Sequence, residues 1–151
     1  MLTFIRTSST NPDFLTIVHQ LDKELAEIDG AEHAFYAQYN KIDKIDHVIL
    51  AYENGLPVAC GAIKKYDEFT MEVKRMFTNR AYRGSGFASK VLNELEKWAV
   101  EINFKSCVLE TGKRQPDAIQ LYEKNGYTII PNYGQYAEVE NSICFIKNIS
   151  L

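Results

Sequence analysis

The stretch Arg83-Gly84-Ser85-Gly86-Phe87-Ala88 is where residue type and spacing most directly imply chemistry. A β-like run, Thr70-Met-Glu-Val-Lys-Arg-Met-Phe-Thr78, precedes it, and an amphipathic helical pattern opens at Gly86. Glycines at a strand-to-helix turn let backbone N–H groups come close to an anion. The helix N-terminus adds unpaired donors and the positive end of its dipole. The turn therefore predicts a phosphate-bearing ligand. Between Lys64 and Lys90 seven basic residues face only three acids, in a chain whose net charge is −3. Such a run is ordinarily a solvated face, but its overlap with the glycine turn points to a compact polyanion. A P-loop is excluded, because no GxxxxGK followed by Ser or Thr occurs. A dinucleotide fingerprint is incomplete: Gly84-Ser-Gly86-Phe-Ala-Ser89 ends in serine, and no second βαβ half follows.

The elements that must position this turn read in order along the chain. A short strand is predicted at 3–7. Asn11 is a suitable N-cap with Pro12 at the first helical position, and Phe14, Ile17, Val18, Leu21, Leu25 and Ile28 keep helical spacing up to Asp29-Gly30. A weaker helix over 31–39 would carry Phe35, Tyr36 and Tyr39, mostly as core aromatics, with the lining of an acceptor pocket as the alternative. Asn54-Gly55 between two apolar runs predicts a hairpin joining 47–52 to 56–63. A turn at 66–69 then leads into the strand 70–78. After the glycine turn, Phe87, Val91, Leu95, Trp98, Ala99 and Ile102 form one apolar stripe, with Ser85 as the expected cap. The strand 106–111 follows. Strand, helix, strand in this order implies a crossover between parallel strands, and ligands of such units bind beyond the strands' carboxyl ends. A last helix from Pro116 to Asn125-Gly126 and strands at 127–130 and 143–149 complete the chain.

Several of these blocks together resemble the GNAT family of N-acetyltransferases. Arg83-Gly-Ser-Gly86-Phe-Ala88 matches that family's R/Q-x-x-G-x-G/A signature. Glu72 to Thr78 looks like its strand beside the coenzyme. Leu109-Glu-Thr-Gly112 and Ala118-Ile-Gln-Leu-Tyr-Glu-Lys-Asn-Gly-Tyr127 look like its second block. Tyr133-Gly-Gln-Tyr136 and Ser142-Ile-Cys-Phe-Ile-Lys147 resemble the ending of small members. The likeness is specific from about residue 48 to 147 and weak before that. It implies an α/β (α+β) fold: a mixed, mostly antiparallel central sheet with a central parallel strand pair and flanking helices, in a single domain over 1–151.

The resemblance also implies acetyl-CoA as acetyl donor and a primary amine of a small molecule or peptide as acceptor. The coenzyme would be bound by Met76, Phe77, Thr78, Arg83, Gly84, Ser85, Gly86, Phe87, Ala88 and Tyr122. Its diphosphate would sit on the turn, with Arg83 and Arg80 supplying charge, and its pantetheine amides would pair with the 70–78 strand. An amine of pKa near 10.4 is neutral about once in a few thousand at pH 7, so a base is needed. Glu72 matches the family's base by position, and Glu110 is its rival. Tyr122 matches the tyrosine that protonates the leaving thiolate. A coenzyme-binding module without activity is the alternative reading.

Composition bounds the rest. The 151 residues are 46% hydrophobic and 25% charged, which suits one soluble domain with a sizeable core. No apolar run approaches the roughly 20 residues of a membrane span, and the N-terminus lacks a secretory layout, so a cytoplasmic protein without membrane or nucleic-acid partners is expected. Cys60, Cys107 and Cys144 lie apart in β-like runs and read as buried thiols. His19, His33 and His47 lack ligand spacing, so no metal is expected. A monomer and a homodimer are both compatible with the sequence.

Overall fold

A computed structural model of the chain describes residues 1–32, 34–35 and 44–150. Its core is a seven-stranded sheet in the order β1-β2-β3-β4-β5-β7-β6. The strands are β1 (Leu2–Thr7), β2 (His47–Glu53), β3 (Leu56–Asp67), β4 (Thr70–Thr78), β5 (Ser106–Gly112), β6 (Thr128–Ile130) and β7 (Ser142–Asn148). Helices α1 (Pro12–Asp29), α2 (Phe87–Glu101) and α3 (Pro116–Lys124) flank it. Neighbouring strands are antiparallel except β4 and β5, which are parallel. The mixed sheet with one central parallel pair is the architecture the sequence predicts.

Strand alternation divides the core between the two faces of the sheet. Val48, Leu50, Cys60 and Ala62 pack with Phe14, Ile17 and Val18 of α1. Ile49, Ala51, Ala59 and Ile63 instead pack with Val91, Leu92, Leu95 and Ala99 of α2. The period of two in the strands thus meets the 3.6-residue stripe of each helix. Asn11 caps α1 by accepting from the Asp13 N–H at 2.8 Å. At the β2–β3 hairpin, Asn54 and Gly55 both take positive φ (52° and 82°), which the tight turn requires. The three cysteines are buried and free.

Some expectations are corrected. The strand predicted at 56–63 runs on to Asp67, and the turn is only Glu68–Phe69, because the Asp67 carboxylate accepts the Phe69 N–H at 3.0 Å. Ser85 does not cap α2. The cap residue is Gly86 in the left-handed conformation, and no side chain bonds there. The basic run does not form one patch either: buried Arg75 is paired with Asp22, while Arg80 and Arg83 reach Glu24. Of the helix predicted over 31–39, Gly30–Glu32 form a 3₁₀ turn, Ala34 and Phe35 are helical as expected, and Phe35 packs beside Tyr136 and Cys144. Tyr36, Tyr39 and His33 lie outside the described residues.

Candidate active site

The site begins where β4 and β5 stop pairing. Only Thr70, Met71 and Glu72 pair with β5, opposite Ser106, Cys107 and Val108. From Val73 onward β4 has a backbone edge without a β5 partner. A bulge on the other side re-aims this edge. Cys60 faces Phe77 and Ala62 faces Lys74, so Gly61 alone opposes Arg75 and Met76. Arg75 takes φ 57°, a conformation a side chain adopts at a cost of about 1–3 kcal/mol. Its carbonyl accepts from the Cys60 thiol (3.2 Å), and its guanidinium is tied to Asp22. Gly61 opposite the bulge allows a close approach: a Cβ there would come within 2.5 Å of the Met76 sulfur and 2.8 Å of Leu95 Cδ1, so those side chains would have to shift.

Beyond Thr78 the chain makes a 3₁₀ turn, Arg80–Tyr82, and enters the glycine turn. Gly84 (φ 84°) and Gly86 (φ 79°) are both left-handed, with nothing within 4 Å of where a Cβ would stand. The first intrahelical acceptor is the Gly86 carbonyl, bonded by the Lys90 N–H at 3.2 Å. The N–H groups of the preceding helical turn are those a helix start leaves unpaired. Arg83 does not reach over this turn. Its Nη1 and Nη2 donate to Glu24 at 2.9 and 2.7 Å, and its Nε donates to the Thr78 carbonyl at 2.8 Å. The Arg83 hydrogen bonds and charge hold the Glu24 carboxyl below its ordinary range. The Arg83 guanidinium also lies 5.3 Å from the centre of the Phe77 ring.

Between the diverging strands lies a cleft of about 120 Å³, well above the roughly 15 Å³ one water needs. Asp29, Glu72, Lys74, Met76, Glu110 and Tyr122 are among its lining residues. The Tyr122 ring sits 5.9 Å from both Tyr127 and Phe145, and burial, with the charge of Glu110, pushes its phenol well up, so it stays protonated. Glu72 Oε2 accepts from the Tyr133 hydroxyl (2.7 Å), and its Oε1 lies 3.8 Å from Lys74 Nζ. Burial lowers Lys74 below the ordinary ammonium range. Glu110 Oε2 accepts from Ser142 Oγ at 2.6 Å. Burial, with Asp29 and Glu72 nearby, pushes the Glu110 carboxyl up to about 7, against the opposing pull of Ser142 and Lys74.

Glu72, Glu110, Tyr122 and Met76 therefore meet in one cleft, while Arg83 to Ala88 form a second station at the far end of the β4 edge. Sequence reasoning missed Asp29, Ser142, Gly61 and Glu24 as parts of this region. Each acts across the sheet or from α1, and no local motif marks it.

The acetyltransferase (GNAT) family model matches residues 15–127, the span that holds β4, the glycine turn and α3. The chain belongs to the GNAT acetyltransferase family. A relative named IAA acetyltransferase, from Azospirillum brasilense, is 30% identical over 137 residues, covering 89% of this chain and 90% of the relative. A crystal structure from Klebsiella pneumoniae, described as an acyl-CoA N-acyltransferase, superposes with a TM-score of 0.83 at 26% identity, over 99% of each chain. A GNAT acetyltransferase from Elizabethkingia anophelis, solved with acetyl-CoA bound, shares the fold at a TM-score of 0.68 and 17% identity, over 97% of each chain. GNAT membership makes this chain an acetyltransferase, the activity its sequence predicts, and disfavours a non-catalytic module.

Proposed function

We propose that this GNAT protein moves an acetyl group from acetyl-CoA directly to the primary amine of a small molecule or peptide, using the cleft between β4 and β5. One observation carries the reading: the edge of β4 that β5 stops pairing after Glu72 leads into the glycine turn at the start of α2. An extended ligand with amides in its middle and a pyrophosphate at one end fits such a path. The amides add to a strand edge, as in β-augmentation. The pyrophosphate takes the N–H groups of Gly84, Ser85, Gly86, Phe87 and Ala88. Met76, Phe77 and Thr78 supply the edge, and Arg83, drawn partly off Glu24, adds charge.

Acetyl-CoA supplies an activated thioester when bound. The protein's own groups then do three things. Glu72 or Glu110, both on the cleft, takes a proton from the incoming ammonium. Tyr122, protonated and buried, donates to the departing sulfur. The backbone at the β4 bulge offers N–H groups for the oxygen that gains charge. The acids of the cleft suit an amine that arrives as a cation. Acetyl-CoA titrated by calorimetry, together with thiol release across a panel of amines, tests the reading. Binding with release for at least one amine is expected. An absence of binding would sink it.

A further inference from the structure

We propose that Glu110 is the carboxylate that takes the acceptor's proton, and that Ser142 is the residue that positions it. The inference rests on the acetyl-transfer reading above and decides between its two carboxylates.

The two differ in what their oxygens already hold. Glu72 has both engaged, Oε2 by the Tyr133 hydroxyl and Oε1 by the approach of Lys74. Glu110 is held at Oε2 alone, by Ser142. Among the described residues no donor is bonded to its Oε1, which leaves one oxygen of a cleft-lining carboxylate for an incoming ammonium. Ser142 is built to hold the other oxygen still. It lies on β7 opposite Gly112, two residues along from the Glu110–Cys144 pair, so its side chain shares a face with that of Glu110. It is 3% exposed. Its N–H donates to the Val139 carbonyl (3.1 Å), and its carbonyl accepts from Asn132 Nδ2 (3.0 Å). The backbone that carries the hydroxyl is therefore anchored on both sides.

The surroundings suit a base that works near neutral pH. Asp29 from α1 and Glu72 from β4 disfavour the charged form, and Lys74 from β4 favours it. Tyr122 from α3, Tyr136 from the 3₁₀ turn Gly134–Tyr136 and Cys144 from β7 complete the facing titratable groups. All three stay neutral, so they bring no further charge. A carboxyl near 7 is both available as a carboxylate and basic enough to hold a proton.

Glu110 takes one proton from the ammonium. The neutral nitrogen bonds to the acetyl carbonyl carbon, and the carbon–sulfur bond breaks with its electron pair on sulfur. Tyr122 protonates that sulfur and recovers a proton from the acylated nitrogen. Glu110 returns its proton to water.

Carboxyl ¹³C NMR of glutamate-labelled protein tests this without any acceptor, with Glu110→Gln assigning the signal. The Glu110 midpoint is expected near 7. Ser142→Ala removes a donor to the charged form and is expected to raise that midpoint by about one pH unit. The rising limb of kcat/KM should move to higher pH with it. Ser142→Cys, a weaker donor of similar size, should fall between. Glu110→Gln should lower kcat by roughly 10²–10⁴-fold while acetyl-CoA affinity stays within about threefold. A midpoint that Ser142→Ala leaves unmoved, or a Glu110→Gln enzyme with near-normal kcat, overturns the proposal alone. A wild type that ignores acetyl-CoA in calorimetry overturns the donor reading as well.

Discussion

The glycine turn and the acyl cleft are built in opposite ways. The turn is six consecutive residues whose proposed binding groups are backbone N–H donors, set by two left-handed glycines and a helix start. The cleft gathers side chains from α1, β4, β5, α3 and the 3₁₀ turn Gly134–Tyr136, and its useful property is how its charged side chains and Ser142 beside them shift the protonation of Glu110. A backbone site depends on conformation and tolerates changes of side chain that keep it. A side-chain site depends on the whole topology and is sensitive to single hydroxyls. The two should therefore fail differently when mutated: the turn in donor affinity, the cleft in turnover and pH dependence.

Gly86→Glu is the strongest way to break the turn alone. Nothing lies within 4 Å of the position its Cβ would take, so the core is not disturbed. The φ of 79° disfavours any side chain, and the new carboxylate faces the anion subsite. Acetyl-CoA affinity is expected to drop by about 100-fold or more in calorimetry, while the Glu110 midpoint stays where it was. Wild-type affinity in this variant would remove the turn from the donor site. Tyr122→Phe should do the reverse. It keeps the ring between Tyr127 and Phe145 and removes only the hydroxyl. A fall in kcat of about 10–100-fold with donor affinity within threefold is expected. Unchanged kcat would show that the sulfur leaves without this proton.

The same contrast explains what the sequence disclosed. The turn could be read directly because its cause is local: glycine spacing, a preceding β-rich run and an amphipathic stripe all lie within a short window. The parallel pairing of β4 with β5 followed from strand, helix, strand order. Tyr122 and Glu72 were reached through the family-like blocks, and the cleft brings them together. Ser142 could not be reached this way. Its partner Glu110 is met only because β7 pairs with β5 in one register, and serine in a strand carries no signal of that. Gly61 carries no local signal of its role, because the side chains that crowd its Cβ position come from Met76 and from α2. Serine is the better cap by type, which is why the sequence points to Ser85. Here the left-handed turn places Gly86 at the cap position instead.

A raised carboxyl costs stability, which sharpens the cleft side of the comparison. The folded Glu110 carboxyl lies near 7, above its ordinary value of 4.5, so the folded state binds its proton more tightly than the unfolded state does. Below about 4.5 both states are protonated and nothing is lost. Stability then falls as pH rises towards 7, and the full cost is present above that. A shift of this size corresponds to roughly 3 kcal/mol. Glu110→Gln should therefore raise Tm at pH 8 by a few degrees and leave it unchanged near pH 4. An equal change at both pH values would mean that charge burial is not the cause.

The smallest expected effect lies at the arginine that opens the turn. Glu24 of α1 holds Arg83 through two hydrogen bonds and approaches Arg80 as well, so its carboxylate competes with any anion seated on the turn. Glu24→Gln leaves a similar shape but removes the competing charge. Arg83 keeps its bond to the Thr78 carbonyl, so its position at the end of β4 is retained. Acetyl-CoA should bind about two- to fivefold more tightly at low salt, with the gain shrinking as ionic strength rises. Folding stability should change by less than about 1 kcal/mol, since the pair is partly exposed. Pantetheine, which lacks the pyrophosphate, should show no gain. Equal tightening for pantetheine and acetyl-CoA would mean that Glu24 acts on the β4 edge rather than through the charge of Arg83.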